Sequence, residues 1–299
     1  MKREVDNRRR TASGLILVIL LGFGSYQSIL YFGHQLVPNV DFIAFARSGH
    51  ELLTGSFHPR LLKRTPIFGI LLVSVGSLFA GPNRDLIAGW VINAILHPLN
   101  LVLLWLTGRR IIGRPAVWFA LLAGLNPWLL DMLRQPLLET TFLFFILLTF
   151  YLIFRESKWR YPAGAITAMI RYEGAALILS ALVIDLLRSK NRRARLRAII
   201  SAFLASLPLA VWIFLTALNW SKLGSAHYLK ELGTASAGKF IIGKYLWLTM
   251  QVSFASLIPP WPGAVESLKE VLTVLVKIFF AAGFAFGALF GLFKRQWKI

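Results

Sequence analysis

Only 13 acidic residues stand against 33 Lys and Arg in this chain, so each carboxylate calls for a reason. Asp41 follows the first apolar run, at about 14–33. Behind it comes a basic group, Arg60, Lys63 and Arg64, set just ahead of Pro66. A carboxylate in that place can take a proton from an attacking hydroxyl. The cations can grip phosphate oxygens, Arg through its planar fork and Lys as a point charge. Together they point to chemistry on a lipid-borne phosphate. The plainer reading makes Asp41 a solvated loop residue or the cap of a helix over about 42–54. It makes Lys63 and Arg64 anchors at the headgroup level.

Four more charges come later. Arg134 and Glu139 flank Pro136, and Glu139 falls in the first turn of an expected helix, where the dipole favours an acid. Arg171-Tyr172-Glu173-Gly174 interrupts an apolar run near its middle. Charges at such a tip are costly unless they face water or a partner. Arg171 is then a phosphate ligand and Glu173 its neighbour, or both belong to a solvent-exposed turn. His58 is a supporting candidate, and Asp131 a weaker alternative to Glu139. His97-Pro98 lies inside a span and reads as a kink with a satisfied histidine. The chain has no Cys and no His pair at ligand spacing, so a zinc site is not expected. No cofactor is required; Asp41 and Glu139 are candidates to hold Mg²⁺ or Mn²⁺.

These residues need a membrane scaffold. The chain is 57% hydrophobic, its mean hydropathy is +0.64, and 15% of it is charged, well below the quarter typical of soluble domains. The net charge of +20 does not imply nucleic acid. The basic residues cluster in short loops between apolar runs, the pattern that orients spans. The run over 14–33 is too long for a signal peptide and reads as a retained anchor.

Five basic clusters, at 2–10, 109–114, 155–160, 188–197 and 294–298, hold 20 of the 33 Lys and Arg. Placing all five in the cytoplasm puts both termini there, in a plasma or inner membrane. Segments 86–107, 115–130, 139–154, 198–219 and 271–293 then cross. Segment 162–187 crosses twice, as two short helices meeting at an outer tip. Segments 66–80 and 245–260 are juxtamembrane or re-entrant. The expected fold is an all-α polytopic bundle of roughly eight crossings forming a single membrane domain over 1–299. It has a first external loop at 34–84 and a second external region at 220–270. Asp41, Lys63, Arg64, Arg134, Glu139, Arg171 and Glu173 all fall on the outer face.

The order of these motifs resembles the GT-C fold glycosyltransferases that use polyprenyl-phosphate sugars, such as protein O-mannosyltransferases and lipid A aminoarabinose transferases (family 39). The resemblance rests on Asp41 soon after the first span and on Lys63-Arg64-Thr65-Pro66-Ile67. It also rests on Gly-Arg-Arg-x-x-Gly-Arg at 108–114, on Pro127 followed by Arg134 and Glu139, and on the hairpin from Ala163-Gly164 to Arg171-Tyr172-Glu173-Gly174. It covers about the first two thirds of the chain. It implies a GT-C-like bundle and transfer of a sugar from a polyprenyl-phosphate donor to an acceptor hydroxyl, with inversion. By position it makes Asp41 the base, Glu139 the second carboxylate, and Lys63, Arg64 and Arg171 the lipid-phosphate ligands. The chain departs from the family where Phe42 follows Asp41, where Thr65 stands for a Pro, in its short length, and in having no soluble domain after the last expected span. Membrane lipids, the lipid-linked sugar and a glycan, lipid or protein acceptor are the expected partners. A flippase or small transporter of a lipid-linked sugar, and an envelope scaffold, are the competing readings.

Overall fold

Gly, Pro and the basic turns divide the apolar runs into helices. The computed structural model describes residues 2–34, 39–55, 64–189 and 191–218. These all lie in one of the chain's two compact units, Met1–Lys230. Their regular structure is entirely helical, as expected in lipid. In chain order come α1 (Lys2–Tyr31), α2 (Val40–Leu53), α3 (Pro66–Gly76), α4 (Arg84–Ile111) and α5 (Ala116–Gly124). They are followed by α6 (Pro127–Arg134), α7 (Glu139–Phe154), α8 (Arg160–Ile170), α9 (Ala175–Arg188) and α10 (Arg192–Leu218). Pro38, His58, Arg60, Lys63, segments 220–270 and 271–293, and the cluster at 294–298 lie outside the described residues.

Among the described residues, three helical stretches are long and apolar enough to cross a membrane: Thr11–Tyr31, Arg84–Ile111 and Arg192–Thr216. They mark a membrane protein. Helix α3 has 11 residues, a length of about 16 Å, roughly half a hydrocarbon core. That length suits the juxtamembrane or re-entrant helix expected over 66–80. The expected span over 115–130 is different: it breaks at Asn126 into α5 and α6, of 9 and 8 residues. Pro127 supplies no N–H to continue α5 and disfavours helical geometry at the residue before it, but it suits the first turn of a new helix. The stretch between 115–130 and the next expected span, 139–154, therefore contains α6.

Helix α4 is the hub, and its buried polar residues explain why. Asn93, His97 and Asn100 recur at helical spacing on one face, all nearly inaccessible to solvent. In a low-dielectric interior each must find a partner. The Asn93 amide donates to the carbonyls of Met132 and Gln135 where α6 ends, while its Oδ1 has no partner among the described residues. His97 Nε2 lies 2.9 Å from Gln27 Oε1 of α1, and the Gln27 amide donates to the Gly124 carbonyl at the end of α5. The Asn100 amide donates to the Thr140 carbonyl of α7.

His97 is thus satisfied, as its sequence context suggested. Pro98 has no N–H for the Ala94 carbonyl one turn back. The Ser28 hydroxyl of α1 lies 3.0 Å from that oxygen and 2.9 Å from the Gly24 carbonyl, so its one proton is shared between the two. The two helices can meet there because Gly24 faces Pro98; a Cβ on Gly24 would sit 2.6 Å from the Pro98 Cα.

Helices α8 and α9 form the two-helix hairpin read from the sequence. A single 3-10 turn, Tyr172–Gly174, joins them. A Cβ at Gly174 would lie 2.4 Å from the Thr167 carbonyl carbon, so the tip closes only with glycine there.

Candidate functional site

The charged candidates stand over one apolar floor. Phe42, Phe45, Phe68, Leu138 and Ile170 belong to a single buried cluster, with Phe142 packed against it. Each is next to, or within about a turn of, a candidate. Asp41 is in the first turn of α2, Glu139 opens α7, and Arg171 follows the last residue of α8. Phe45 meets Phe68 edge to face, with centroids 5.2 Å apart. The Arg64 guanidinium lies 4.4 Å above the Phe45 ring and that of Arg171 lies 5.6 Å from Phe142. Aromatic faces hold both cations by their negative quadrupole.

Asp41 does not cap its helix. Asn39 is the cap, and its side-chain oxygen accepts from the Asp41 N–H. The Asp41 carboxylate instead accepts from Arg64 Nη2 at 2.5 Å, across 23 residues. The pair is lopsided: the Asp41 side chain is 58% exposed and that of Arg64 26%. A pair this open adds at most about 1 kcal/mol to stability, so its importance lies in placement.

Arg171 bridges two acids. Its Nε donates to Glu173 at 3.2 Å, and its Nη1 lies 3.7 Å from Glu139 Oε1. The second distance is an ion-pair contact, longer than a hydrogen bond. The other Glu139 oxygen, Oε2, is buried and has no hydrogen-bond partner among the described residues. A buried carboxylate oxygen left without a donor is expensive, a state it shares with Asn93 Oδ1 and Asn100 Oδ1.

One hydrogen bond ties the two halves together. Thr65 caps α3 by position but makes no cap bond of its own. Its hydroxyl donates to the Ile170 carbonyl at 2.5 Å, across 105 residues and fully buried. It thereby satisfies the carbonyl at the end of α8 and sets Arg64 beside the Arg171 tip. Thr65→Val should leave that carbonyl unpartnered and destabilise the protein by about 1–3 kcal/mol. Thr65→Ser should restore the stability, read as the thermal midpoint in detergent.

The candidates read from sequence therefore divide. Asp41 pairs with Arg64, and Arg171 with Glu139 and Glu173, and the Thr65–Ile170 bond links the two sets. Arg134 is exposed at the end of α6, with no ion pair to this group among the described residues. Asp131 accepts from Gln135 within the same segment. Lys63 and His58 lie outside the described residues. The described group holds three carboxylates and two guanidiniums, so it is not the cationic patch that the basic run before Pro66 suggests. Among the described residues no set of three His, Cys, Asp or Glu is placed to hold a metal ion.

No family model, curated protein or solved structure matches this chain.

Sequence reasoning passed over several positioning residues. Thr65 looked like a substituted Pro and turns out to be the link between α3 and α8. Its one available signal was the hydroxyl at a helix start with no acceptor in its own first turn. His50, in the last turn of α2, lies 2.7 Å from Asp85 in the first turn of α4. That contact fixes the far end of α2 against α4, and nothing in the local sequence announces it.

Proposed function

We propose that the chain is a membrane glycosyltransferase, moving a sugar from a polyprenyl-phosphate donor to an acceptor hydroxyl at the outer membrane face. The observation that carries the reading is the Thr65–Ile170 hydrogen bond. It joins a carboxylate–guanidinium pair, Asp41 and Arg64, to the segment that carries a second guanidinium with a half-satisfied carboxylate, Arg171 and Glu139. The fold is proposed to be a GT-C-like bundle of roughly eight crossings, with both termini cytoplasmic in a plasma or inner membrane.

In this mechanism the donor phosphate displaces carboxylates from Arg64 and Arg171, with Lys63 as a third cation. Asp41, released from Arg64, then faces the acceptor. The acceptor oxygen attacks the anomeric carbon and forms the new C–O bond. The bond from that carbon to the phosphate oxygen breaks, and its electron pair leaves on the lipid phosphate. Asp41 takes the hydroxyl proton, and the configuration inverts. The guanidiniums gain importance as charge builds on the leaving phosphate. Glu139 Oε2 accepts a hydroxyl of the sugar or acceptor. No step is routed through Mg²⁺ or Mn²⁺; turnover lost to a chelator and restored by either ion would add one to the site.

A transporter would need polar groups along a path through the bundle. The amide N–H groups of Asn93 and Asn100 and the His97 imidazole on α4 are instead bound to neighbouring helices, which supports surface chemistry.

The first test is topological. Reporter fusions at Pro38, Pro136 and Gly174 should all report the outer side, and a cytoplasmic result at any one breaks the shared site. The second is transfer by the purified chain from a polyprenyl-phosphate sugar. Binding of such donors without transfer to any hydroxyl acceptor would favour the transporter.

A further inference from the structure

At the opposite end of the α8–α9 hairpin from Arg171 lies a second group of charges. Helix α8 has 11 residues, so its start is about 16 Å along the helix from the Arg171 tip. There the turn after α7, the start of α8, the end of α9 and the first three turns of α10 border a cavity of about 520 Å³. That volume falls in the range of small-molecule sites. From α10, Ala194, Arg197, Ala198 and Ser201 line it. Their spacing puts them on one face of the helix, so that face forms the wall.

The charges on the lining do not cancel. Four cations, Lys158, Arg160, Arg188 and Arg197, stand against two carboxylates, Glu156 and Asp185, which leaves two positive charges over. Arg160 is fully engaged. Its Nε and Nη2 both donate to Asp185 Oδ2, at 3.0 and 2.5 Å, and the Tyr161 hydroxyl donates to the same oxygen at 2.8 Å. The two side chains of that ion pair are 16% and 13% exposed, so it is a fixed part of the wall.

The other cations are held loosely. Arg188 meets Glu156 at 3.2 Å, but the Glu156 side chain is 71% exposed. A pair that open to water is weak, and an anion entering the cavity can take the place of Glu156. Lys158 and Arg197 meet no carboxylate at ion-pair distance among the described residues, and Lys158 rests 5.9 Å from the Trp159 ring.

Charge selects the occupant. A phosphate monoester carries about −1.5 to −2 at neutral pH and presents three acceptor oxygens, so it balances both surplus cations. A carboxylate or a phosphodiester carries a single charge and leaves one cation over. Lysine supplies a point charge and arginine a planar fork, both suited to phosphoryl oxygens. The volume exceeds that of a bare phosphate ion and leaves room for the organic part of an ester.

We propose that this cavity binds a phosphate monoester, its phosphoryl group held between Lys158 and Arg197, with Arg188 joining when the ester displaces Glu156. The phosphoryl chemistry is the same for a soluble monoester and for a monoester lipid headgroup, and the experiment separates these sources. The site uses none of the residues assigned to sugar transfer, and its test reads binding rather than turnover.

The full chain, purified in detergent, is titrated with glycerol 3-phosphate, a soluble monoester, and with phosphatidic acid, a lipid monoester, while its thermal midpoint is followed. Glycerol and phosphatidylglycerol, a phosphodiester, are the controls. A monoester should raise the midpoint, and the controls should not at matched concentration. A response to glycerol 3-phosphate makes the source soluble; a response to phosphatidic acid alone makes it a lipid. Lys158→Gln with Arg197→Gln should weaken the apparent affinity about tenfold or more, the expected loss of charged donors. Glu156→Gln keeps the backbone and releases Arg188, so it should strengthen binding about twofold to fivefold. No response to either monoester, or an undiminished affinity in the double variant, overturns the site. Phosphatidylglycerol matching phosphatidic acid overturns the charge matching that selects a monoester. Weaker binding in Glu156→Gln overturns the part given to Arg188.

Discussion

Asp41→Asn is expected to lower turnover by about 10²- to 10⁴-fold, the usual contribution of a positioned general base, at unchanged expression and folding. The amide keeps an oxygen that can still accept from Arg64, so the geometry of the pair survives and only the proton-accepting charge is lost. This distinguishes chemistry from scaffolding: an exposed carboxylate with one partner can be neutralised at little cost in stability. Glu139→Gln should be milder, about tenfold to a hundredfold, because it removes one charge-assisted contact rather than the proton acceptor. Single-turnover rates on a polyprenyl-phosphate sugar, with each variant's thermal midpoint alongside, make the comparison. Asp41→Asn turning over within twofold of the parent would remove Asp41 as the base. Glu139→Gln proving the more damaging change would exchange the roles of the two acids.

Gly49→Val is expected to produce the largest structural loss. Helices α2 and α3 pass so closely that a Cβ on Gly49 would lie 2.1 Å from the Gly69 carbonyl oxygen. Val73 crowds the same point, 2.7 Å away. The nearest obstacle is backbone, which has no rotamer to yield, so the helices must separate. Overpacking of this kind costs about 1–3 kcal/mol, occasionally more. The loss should reach the site as well. Asp41 rides on α2 and Arg64 stands at the start of α3, so parting the helices parts the pair. The thermal midpoint in detergent should fall and turnover should fall with it. Gly55→Ala provides a contrast: its φ of 74° makes the change strained, but among the described residues no atom lies within 4 Å of the added carbon. It should lower stability without the same loss of turnover. A wild-type midpoint and rate for Gly49→Val would show that α2 and α3 are not apposed in the working protein.

Much of this arrangement was legible in the chain. Hydropathy marked α1, α4 and α10 as long enough to span, since about 20 apolar residues suffice to show it. The Arg-Tyr-Glu-Gly interruption announced the α8–α9 tip, because charges and a glycine cannot continue an apolar helix at low cost. Pro66 after Thr65 fixed the start of α3, and Glu139 fell in the first turn of α7 as its position after Pro136 suggested. What misled was hydropathy without hydrogen bonding. The run over 115–130 looks continuous, yet Asn126-Pro127 breaks it. Apolarity reports where a segment is comfortable and not where its backbone donors run out.

The residues read along the chain already specify helical membrane segments, with most of the acids near segment ends. Both follow from local properties, hydrophobicity and turn chemistry. Which charges meet was decided only by the tertiary structure. The Asp41–Arg64 pair, the Arg171 bridge to Glu139, and the exclusion of Arg134 depend on contacts tens of residues apart. Their registers are set by Thr65 on the Ile170 carbonyl and by Asn93 on the end of α6. Those bonds form because a buried hydroxyl, amide or carbonyl has no water to turn to. Such a demand has a strength that sequence can show and a direction that it cannot.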